Sequence, residues 1–191
     1  MIREYDSDRQ QIPDKIITKL TRNAHRAPSA GHTQVQEFII VKDASTKKKL
    51  RRAAVNQEYV EQAPLLIVVC SNTSRSVGRY GSRGREFYSI IDGAFASMLI
   101  LLSAVNEVIG ACFVGAFEDN KVSEILQIPK DVRPIGIICI GYPAEKPEKL
   151  ERIDVKALVH YEKYGHKTWT ELDYSKEFTY NIKKAAKSTI L

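Results

Sequence analysis

Few side chains in this sequence have the spacing of a known catalytic or metal site. The four histidines, His25, His32, His160 and His166, are spread along the chain and predict no metal site. The sequence contains no GxGxxG, P-loop, HExxH or GxSxG motif. Chemistry that needs a metal ion, a serine nucleophile or a Rossmann-type dinucleotide site is therefore not indicated.

The three cysteines are the remaining candidates for covalent chemistry. Cys70, Cys112 and Cys139 each lie in an apolar run, and no CxxC motif links them. We expect buried, reduced thiols rather than disulfides or a zinc site. A catalytic cysteine is the alternative, but no sequence neighbour indicates a lowered thiol pKa.

The charge balance indicates an anionic partner. Lys and Arg number 29 against 23 Asp and Glu, which gives a net charge of +6 over 191 residues. The one dense basic cluster, residues 47–52, has the helical spacing that is typical of a solvated helix face. No zinc-finger or RNA-recognition signature accompanies it, so a phosphorylated small ligand explains the charge as well as nucleic acid does.

The elements that must position such a ligand alternate between helix and strand. Apolar periodicity and capping signals predict helices at 14–27, 46–56, 86–106 and 120–127. Apolar runs bounded by turn residues predict strands at 38–41, 65–69, 111–114 and 136–140. This order predicts an α/β (α+β) sandwich, with one sheet covered by helices on both faces.

Three segments carry further expectations. Residues 71–85 are polar and rich in glycine, so we expect a mobile loop. Helix 86–106 is apolar on most sides, which predicts that it is fully covered in an obligate homodimer. Residues 1–155 are predicted to form a single domain, and the polar segment 156–191 is either a frayed end or an arm laid on the partner subunit.

Several short segments, taken in order, carry a family pattern. They are Ala27-Pro28-Ser29-Ala30-Gly31-His32-Thr33-Gln34, Glu37–Val41, Tyr80-Gly81-Ser82-Arg83-Gly84 with Asp92, Gly110–Phe117 and Pro134–Pro147. Together they resemble the flavin-dependent (FMN) nitroreductase family over roughly residues 2–165. The resemblance implies a central mixed sheet and a homodimer with FMN at the subunit interface. It also implies that NADH or NADPH donates electrons and that a nitroaromatic, quinone or similar small acceptor receives them.

The resemblance places two arginines at the FMN phosphate. Arg152 would supply a bidentate guanidinium; the alternative is a surface arginine in a charged segment. Arg3 lies in a segment similar to the end of the family's Arg-Arg-Ser-x-Arg-x-Phe/Tyr pattern. Met1 takes the serine position of that pattern, and its two upstream arginines have no counterpart in this sequence. An alternative function follows: a protein of this fold with weakened or lost FMN binding and a non-catalytic role.

The turn that contains Pro28, Ser29 and Ala30 is implied to reach the flavin of the partner subunit. Its backbone N–H groups could hydrogen-bond the flavin ring, although a simple helix stop is also consistent with the sequence. His32 stands where the family usually has Asn. It is a flavin contact or, alternatively, a surface loop histidine.

The remaining cofactor residues are implied to meet the flavin ring system. Asn56 and Gln57 would place an amide against its pyrimidine edge, or else simply cap a helix. Val114 and Gly115 would bring the backbone close to the ring, where a glycine permits close approach. The alternative for this pair is an ordinary turn at a strand end.

Aromatic and basic side chains in the glycine-rich segment are candidates for substrate contact. Tyr80, Arg83 and Tyr88, with Arg85 beside them, could form a lid over the flavin; the alternative is a disordered polar loop. The longest apolar run without a charge, 93–106, is shorter than the roughly 20 residues of a membrane span. We therefore expect a cytoplasmic enzyme without metal, membrane or nucleic-acid partners.

Overall fold

The structure is a computed structural model that describes residues 1–9 and 11–167. The chain divides into two units, residues 1–147 and 148–191. The sheet and the main helices lie in the first unit, and a short helix, Val155–Leu158, lies in the second. The domain boundary expected at residue 155 stays a prediction. Most of the expected arm, from residue 168 onward, lies outside the described residues.

In the part of the chain that the structure describes, four strands form one sheet. They are β1 (Gln36–Val41), β2 (Leu65–Asn72), β3 (Gly110–Val114) and β4 (Val132–Gly141). Their spatial order is β1-β2-β4-β3, and each neighbouring pair is antiparallel. The expected mixed sheet is therefore not formed by the described strands. A parallel member would have to come from residues outside them or from another copy of the chain.

Among the described residues of the first unit, six α-helices accompany the sheet. They are α1 (Asp14–His25), α2 (Ala44–Ala53), α3 (Glu58–Gln62), α4 (Ser74–Arg83), α5 (Ser89–Asn106) and α6 (Asp119–Leu126). Asp43 caps α2 by accepting the Thr46 N–H at 2.7 Å. The helix ends before the predicted residue 56, because Val55 and Asn56 have φ of 55° and 56°, outside the helical region.

The alternation of side chains along β2 divides the core into two layers. Leu65, Ile67 and Val69 belong to the buried cluster that contains residues of α1 and α5. Leu66, Val68 and Cys70 belong to the cluster that contains residues of α2, α3 and α6. The predicted sandwich is thus confirmed, with an α1/α5 face and an α2/α6 face. The prediction of buried free cysteines is also confirmed.

The glycine-rich segment is helical, so the prediction of a mobile loop was wrong. Helix α4 is kinked at Gly81, which has φ 56° and ψ −141°, and a π-helical turn over Gly84–Tyr88 leads into α5. Gly84 is required by packing, since a Cβ there would lie 2.7 Å from the Ser76 carbonyl oxygen. Gly78 and Gly81, by contrast, would meet nothing within 4 Å. Glycine content alone therefore predicted the wrong secondary structure for this segment.

Within the described part of a single chain, helix α5 is covered on one side only, and the expected cover of its other side by a partner subunit stays a prediction. Its buried residues include Ala96, Ile100 and Ala104, which pack against the sheet and α1. The other side exposes an apolar stripe, formed by Phe95 (46% exposed), Met98 (53%), Leu102 (54%) and Val105 (74%). The sequence pattern indicated burial on all sides, but the described residues of one chain supply cover for only one.

The continuous helical stretch Ser74–Asn106 spans 33 residues and reaches a mean hydropathy of 1.8. Among the described residues it is the one segment long and apolar enough to cross a membrane by length and composition. Of its most apolar window, 44% is buried, and the buried side packs against the sheet and α1.

Candidate cofactor and active site

The N-terminal residues form an additional edge beside β3 and the end of β4. Ile2 N–H donates to the Ala111 carbonyl at 3.2 Å, and Tyr5 forms an antiparallel bridge with Pro143. The backbone N–H groups of Arg3 and Glu4 both donate to Oε1 of Glu145, that of Glu4 at 3.1 Å. Two successive N–H groups on one carboxylate oxygen make an anion-binding arrangement. They also lower the pKa of Glu145.

The Arg3 side chain lies against the α2/α6 layer. Its guanidinium is 5.5 Å from the centroid of the Tyr59 ring. It also interacts with the Cys112 thiol, and this contact raises the pKa of Arg3. Burial raises the pKa of Cys112, and Arg3 opposes this shift. A cation is thus placed beside the paired N–H groups.

The Gln57 amide lies between two backbone segments. Its Nε2 donates to the Ala54 carbonyl at 2.8 Å and to the Ala116 carbonyl at 3.1 Å, while its Oε1 accepts from the Tyr59 hydroxyl. Gln57 therefore connects the end of α2 to the backbone that follows β3. We call this set the N-terminal cluster; it comprises Arg3, Gln57, Tyr59, Cys112 and Glu145.

Three of the other residues predicted at this end of the site adjoin the cluster in the first unit. Val114 is buried at the end of β3, and Gly115 is exposed directly after it. Asn56 is exposed beside Gln57. Arg152 is exposed too, but it lies in the second unit, so its place at a phosphate stays a prediction.

The segment from Pro28 to Gln34, here called the Ser29 turn, is a compact loop before β1. Ser29 Oγ accepts the Gln34 N–H at 2.9 Å, and the Ser29 carbonyl accepts the His32 N–H at 3.0 Å. His32 is exposed, and its Nε2 lies 3.0 Å from the Gln34 amide nitrogen. Pro28 is exposed, whereas Ser29 and Ala30 are half-buried.

One backbone group of the turn is already occupied. The Ala30 N–H donates to both carboxylate oxygens of Asp92, at 3.1 and 3.2 Å. In this chain the Ala30 N–H is therefore bound to Asp92, and its contact with a flavin ring stays a prediction. Asp92 is only 2% exposed, and burial raises the pKa of its carboxyl.

The predicted substrate residues lie together in and after α4. The Tyr80 and Tyr88 rings pack edge to face with centroids 5.1 Å apart, and Arg83 Nε donates to the Tyr88 hydroxyl at 3.0 Å. Arg79, on the same helix, donates from Nη1 to the Gly31 carbonyl at 2.9 Å. The aromatic group therefore adjoins the Ser29 turn. Arg85 instead lines a cavity of about 470 Å³ with residues of α6 and β4.

The two groups of predicted cofactor residues lie on different faces of the sheet. The N-terminal cluster packs with the α2/α6 layer through Tyr59 and Cys112. The Ser29 turn is bound to Asp92 of α5, which belongs to the α1/α5 layer. The chain brings Arg3, Gln57 and Gly115 into one region and Ser29, Ala30 and His32 into another, but it does not bring the two regions together.

Sequence reasoning assigned no role in the site to Tyr59, Asp92, Arg79 or Glu145, although Asp92 and Glu145 lie in segments of the family pattern. Asp92 left a signal, since it is a single acid at the start of a long apolar helix. Glu145 and Arg79 left none, because their partners are backbone groups far away in the chain. Among residues 1–9 and 11–167, no group of three His, Cys, Asp or Glu side chains could hold a metal ion.

Comparisons with known proteins agree with this architecture. The family model described as "Nitroreductase family" matches residues 1–57 and 51–142. NADH dehydrogenase of Thermus thermophilus is 27% identical over 187 residues, covering 83% of this chain and 89% of that protein. FMN reductase (NADPH) of Bacillus subtilis is 28% identical over 172 residues, covering 83% and 69%. The structure of a nitroreductase from Bacillus subtilis matches with a TM-score of 0.76 at 26% identity, covering 92% and 74%.

The family match confirms the predicted resemblance and the fold. It spans the Ser29 turn, most of the N-terminal cluster and all four strands. The chain belongs to the nitroreductase family.

Proposed function

We propose that this protein is a cytoplasmic, homodimeric enzyme that passes reducing equivalents from NADH or NADPH, by way of bound FMN, to a nitroaromatic, quinone or similar small acceptor. The enzyme class, an NAD(P)H-dependent flavin oxidoreductase, is supported by the family match and by relatives named for FMN reduction and NADPH-dependent nitroreduction. The acceptor, the dimer, the location and the site residues are the proposed parts. The alternative of a non-catalytic relative is not favoured, because these relatives are named as reductases.

The N-terminal cluster fits the phosphate end of FMN. Its converging N–H groups already hold a carboxylate oxygen, and a phosphate oxygen has the same acceptor chemistry. The Arg3 guanidinium adds a positive charge beside them. This anion-binding arrangement is the observation that carries the proposal. Arg152 is proposed as the second arginine at the phosphate.

The end of β3 offers room for a planar ring. Gly115 is exposed, and a Cβ there would meet only the Phe113 ring, at 3.2 Å. Val114 and Gly115 would bring the backbone close to the flavin ring, and Asn56 and Gln57 would place an amide against its pyrimidine edge. When bound, FMN supplies the hydride chemistry, accepting a hydride from the nicotinamide and passing electrons to the acceptor. The protein residues bind and orient it, so no general acid or base is assigned.

The dimer is supported by the separation of the two groups. A site that uses both the N-terminal cluster and the Ser29 turn can be completed only if a second copy supplies one of them. The apolar stripe on α5 gives such a copy a surface to cover. We therefore place the partner's Ser29 turn, with Pro28, Ser29, Ala30 and His32, across the flavin from the N-terminal cluster. Tyr80, Arg83 and Tyr88 would then border the substrate space.

Titration of FMN into apo-protein tests the phosphate assignment. A charge-assisted hydrogen bond contributes about 1.5–3 kcal/mol, so its loss should weaken binding roughly 10- to 150-fold. We expect this loss in Arg3→Ala and in Arg152→Ala, measured by quenching of flavin fluorescence. Arg52→Ala is the matched control, because Arg52 is exposed on α2, whereas Arg51 pairs with Glu61. Anaerobic bleaching of the bound flavin by NADH or NADPH tests the activity itself.

Unchanged affinity in both variants would show that the phosphate is bound elsewhere. A wild-type protein that binds no FMN would contradict the proposed function as a whole.

A further inference from the structure

The Ser29 turn is held from two sides by side chains of two helices. Asp92 of α5 accepts the Ala30 N–H, at 3.1 and 3.2 Å from its two oxygens. Arg79 of α4 donates to the carbonyl of the next residue, Gly31, at 2.9 Å. A buried carboxylate and an exposed guanidinium thus hold two successive residues of one turn.

Burial of the Asp92 carboxyl, which accepts the Ala30 N–H, costs free energy. Among the described residues, no Lys, Arg or His forms an ion pair with it, and the Ala30 N–H is its hydrogen-bond donor. An ionised carboxyl without a cationic partner costs free energy in a low-dielectric environment, and burial raises its pKa accordingly. An apolar residue at this helix position would avoid that cost but would leave the N–H of the turn without an acceptor.

Gly31 shows how closely α4 packs on the turn. Its φ of 55° lies in the left-handed region, and a Cβ there would meet the Tyr80 hydroxyl and the guanidinium carbon of Arg79, the latter at 3.1 Å. The side-chain ends of Tyr80 and Arg79 therefore lie directly against the turn. Arg75 adds a bond from Nη1 to the Gln34 carbonyl at 2.8 Å, at the far end of the turn.

We propose that Asp92 and Arg79 are positioning residues of the cofactor site: together they fix the Ser29 turn in the orientation that FMN binding requires. The inference rests on the proposed function, since the turn matters to FMN only if it contacts FMN. Neither side chain is assigned a contact with the cofactor. Their effect passes through the backbone of Ala30 and Gly31.

Substitutions at Asp92 separate the hydrogen bond from the charge. Asp92→Ala removes the acceptor for Ala30, and we expect FMN to bind about 10-fold more weakly or worse. Asp92→Asn keeps one acceptor oxygen in the same place, so affinity should stay within about 3-fold of wild type. Asp14→Asn is the matched control, an exposed acid in the first turn of α1. The readouts are FMN affinity by fluorescence quenching and the visible circular dichroism of the bound flavin.

Arg79 gives an independent test, because an exposed side chain can be removed without disturbing the core. Surface substitutions usually change stability by no more than about 0.5 kcal/mol. We expect Arg79→Ala to weaken FMN binding roughly 3- to 10-fold and to change the visible dichroism, with partial rescue by Arg79→Lys. Arg52→Ala, on α2, should change neither.

The outcomes are distinguishable. Wild-type affinity and wild-type dichroism in both Asp92→Ala and Arg79→Ala would overturn the positioning role while leaving the proposed function intact. Absence of FMN binding in the wild-type protein would overturn both. If Asp92→Ala fails to fold, Arg79→Ala and its rescue by lysine decide the question.

Discussion

The Ser29 turn and the N-terminal cluster are held in place by different kinds of contact. The turn depends on side chains of α4 and α5 that bond to its backbone, and on a glycine with φ 55°. The N-terminal cluster depends mainly on backbone pairing of residues 2–5 with β3 and with the end of β4. Single substitutions should therefore disturb the turn easily and the backbone of the cluster only weakly.

The two regions also differ in the face of the sheet on which they lie. The cluster belongs to the α2/α6 layer and the turn to the α1/α5 layer. A site that needs both regions requires a second copy of the chain. The surface proposed to bind that copy is the apolar stripe of α5, which belongs to neither region. Three substitutions test this comparison. The first acts on the apolar stripe of α5, the second on the Ser29 turn and the third on the N-terminal cluster.

The largest effect is expected from Leu102→Glu in the apolar stripe of α5. Leu102 is 54% exposed in the single chain, so a charge there is tolerated by a monomer but not by a buried dimer interface. We expect monomers at micromolar concentration and an FMN affinity reduced about 100-fold or more. Light scattering and FMN titration measure the two results. Leu102→Met keeps the surface apolar and should leave both unchanged. A stable dimer in Leu102→Glu would place the interface elsewhere.

An intermediate effect is expected from Gly31→Ala, which acts on the turn alone. A left-handed backbone costs an alanine about 1–2 kcal/mol, and its Cβ would displace Tyr80 and Arg79. FMN affinity should fall roughly 10-fold while the dimer persists. Gly78→Ala is the comparison, since Gly78 lies in α4 with open space around it, and it should raise the free energy of unfolding by about 0.5–1 kcal/mol. Equal FMN affinity in the two variants would contradict the tight packing of the turn.

The smallest effect is expected from Glu145→Gln in the N-terminal cluster. The N–H groups of Arg3 and Glu4 lower the pKa of Glu145, so this stabilising contact is complete above about pH 4.3, the unfolded value, and is lost as the pH falls through the lower folded value. The glutamine variant should lose that pH dependence of unfolding. It should also bind FMN about 3-fold more tightly, because a carboxylate no longer competes with the phosphate. Weaker FMN binding would show that Glu145 orders the segment for the cofactor instead.

Much of the fold could be predicted from local patterns. The apolar run at 65–69 predicted the central strand, which extends to Asn72, and the helical periodicity of 86–106 predicted α5. These patterns succeed because the burial of a strand or a helix face is recorded in consecutive residues. The prediction of a loop at 71–85 was wrong because its glycines belong to a helical segment, in which Gly81 supplies the kink of α4. Gly84 supplies close packing instead.

The site was less predictable, for a physical reason. Its family residues could be named from motifs, but the bonds that hold them join residues far apart in the chain, such as Ala30 with Asp92 and Arg3 with Glu145. Almost every residue has a backbone N–H, so the sequence does not indicate which side chain accepts its hydrogen bond. The sequence also predicted that a partner subunit covers the apolar side of α5, and this stays a prediction because the structure contains a single chain.

The π-helical turn at Gly84–Tyr88 lies between α4 and α5. It determines the angle, around the helix axis, between the arginines of α4 and the apolar stripe of α5. Each residue of an α-helix rotates the chain by about 100°, and a π-turn contains one residue more than an α-turn. The orientation of the α4 arginines relative to the apolar stripe of α5 therefore depends on this turn, through which the helical backbone is continuous. Loss of a single residue there would rotate Arg79 by roughly a quarter turn relative to the stripe. The chain could then keep every side chain named here and still separate the Ser29 turn from the helix that holds it.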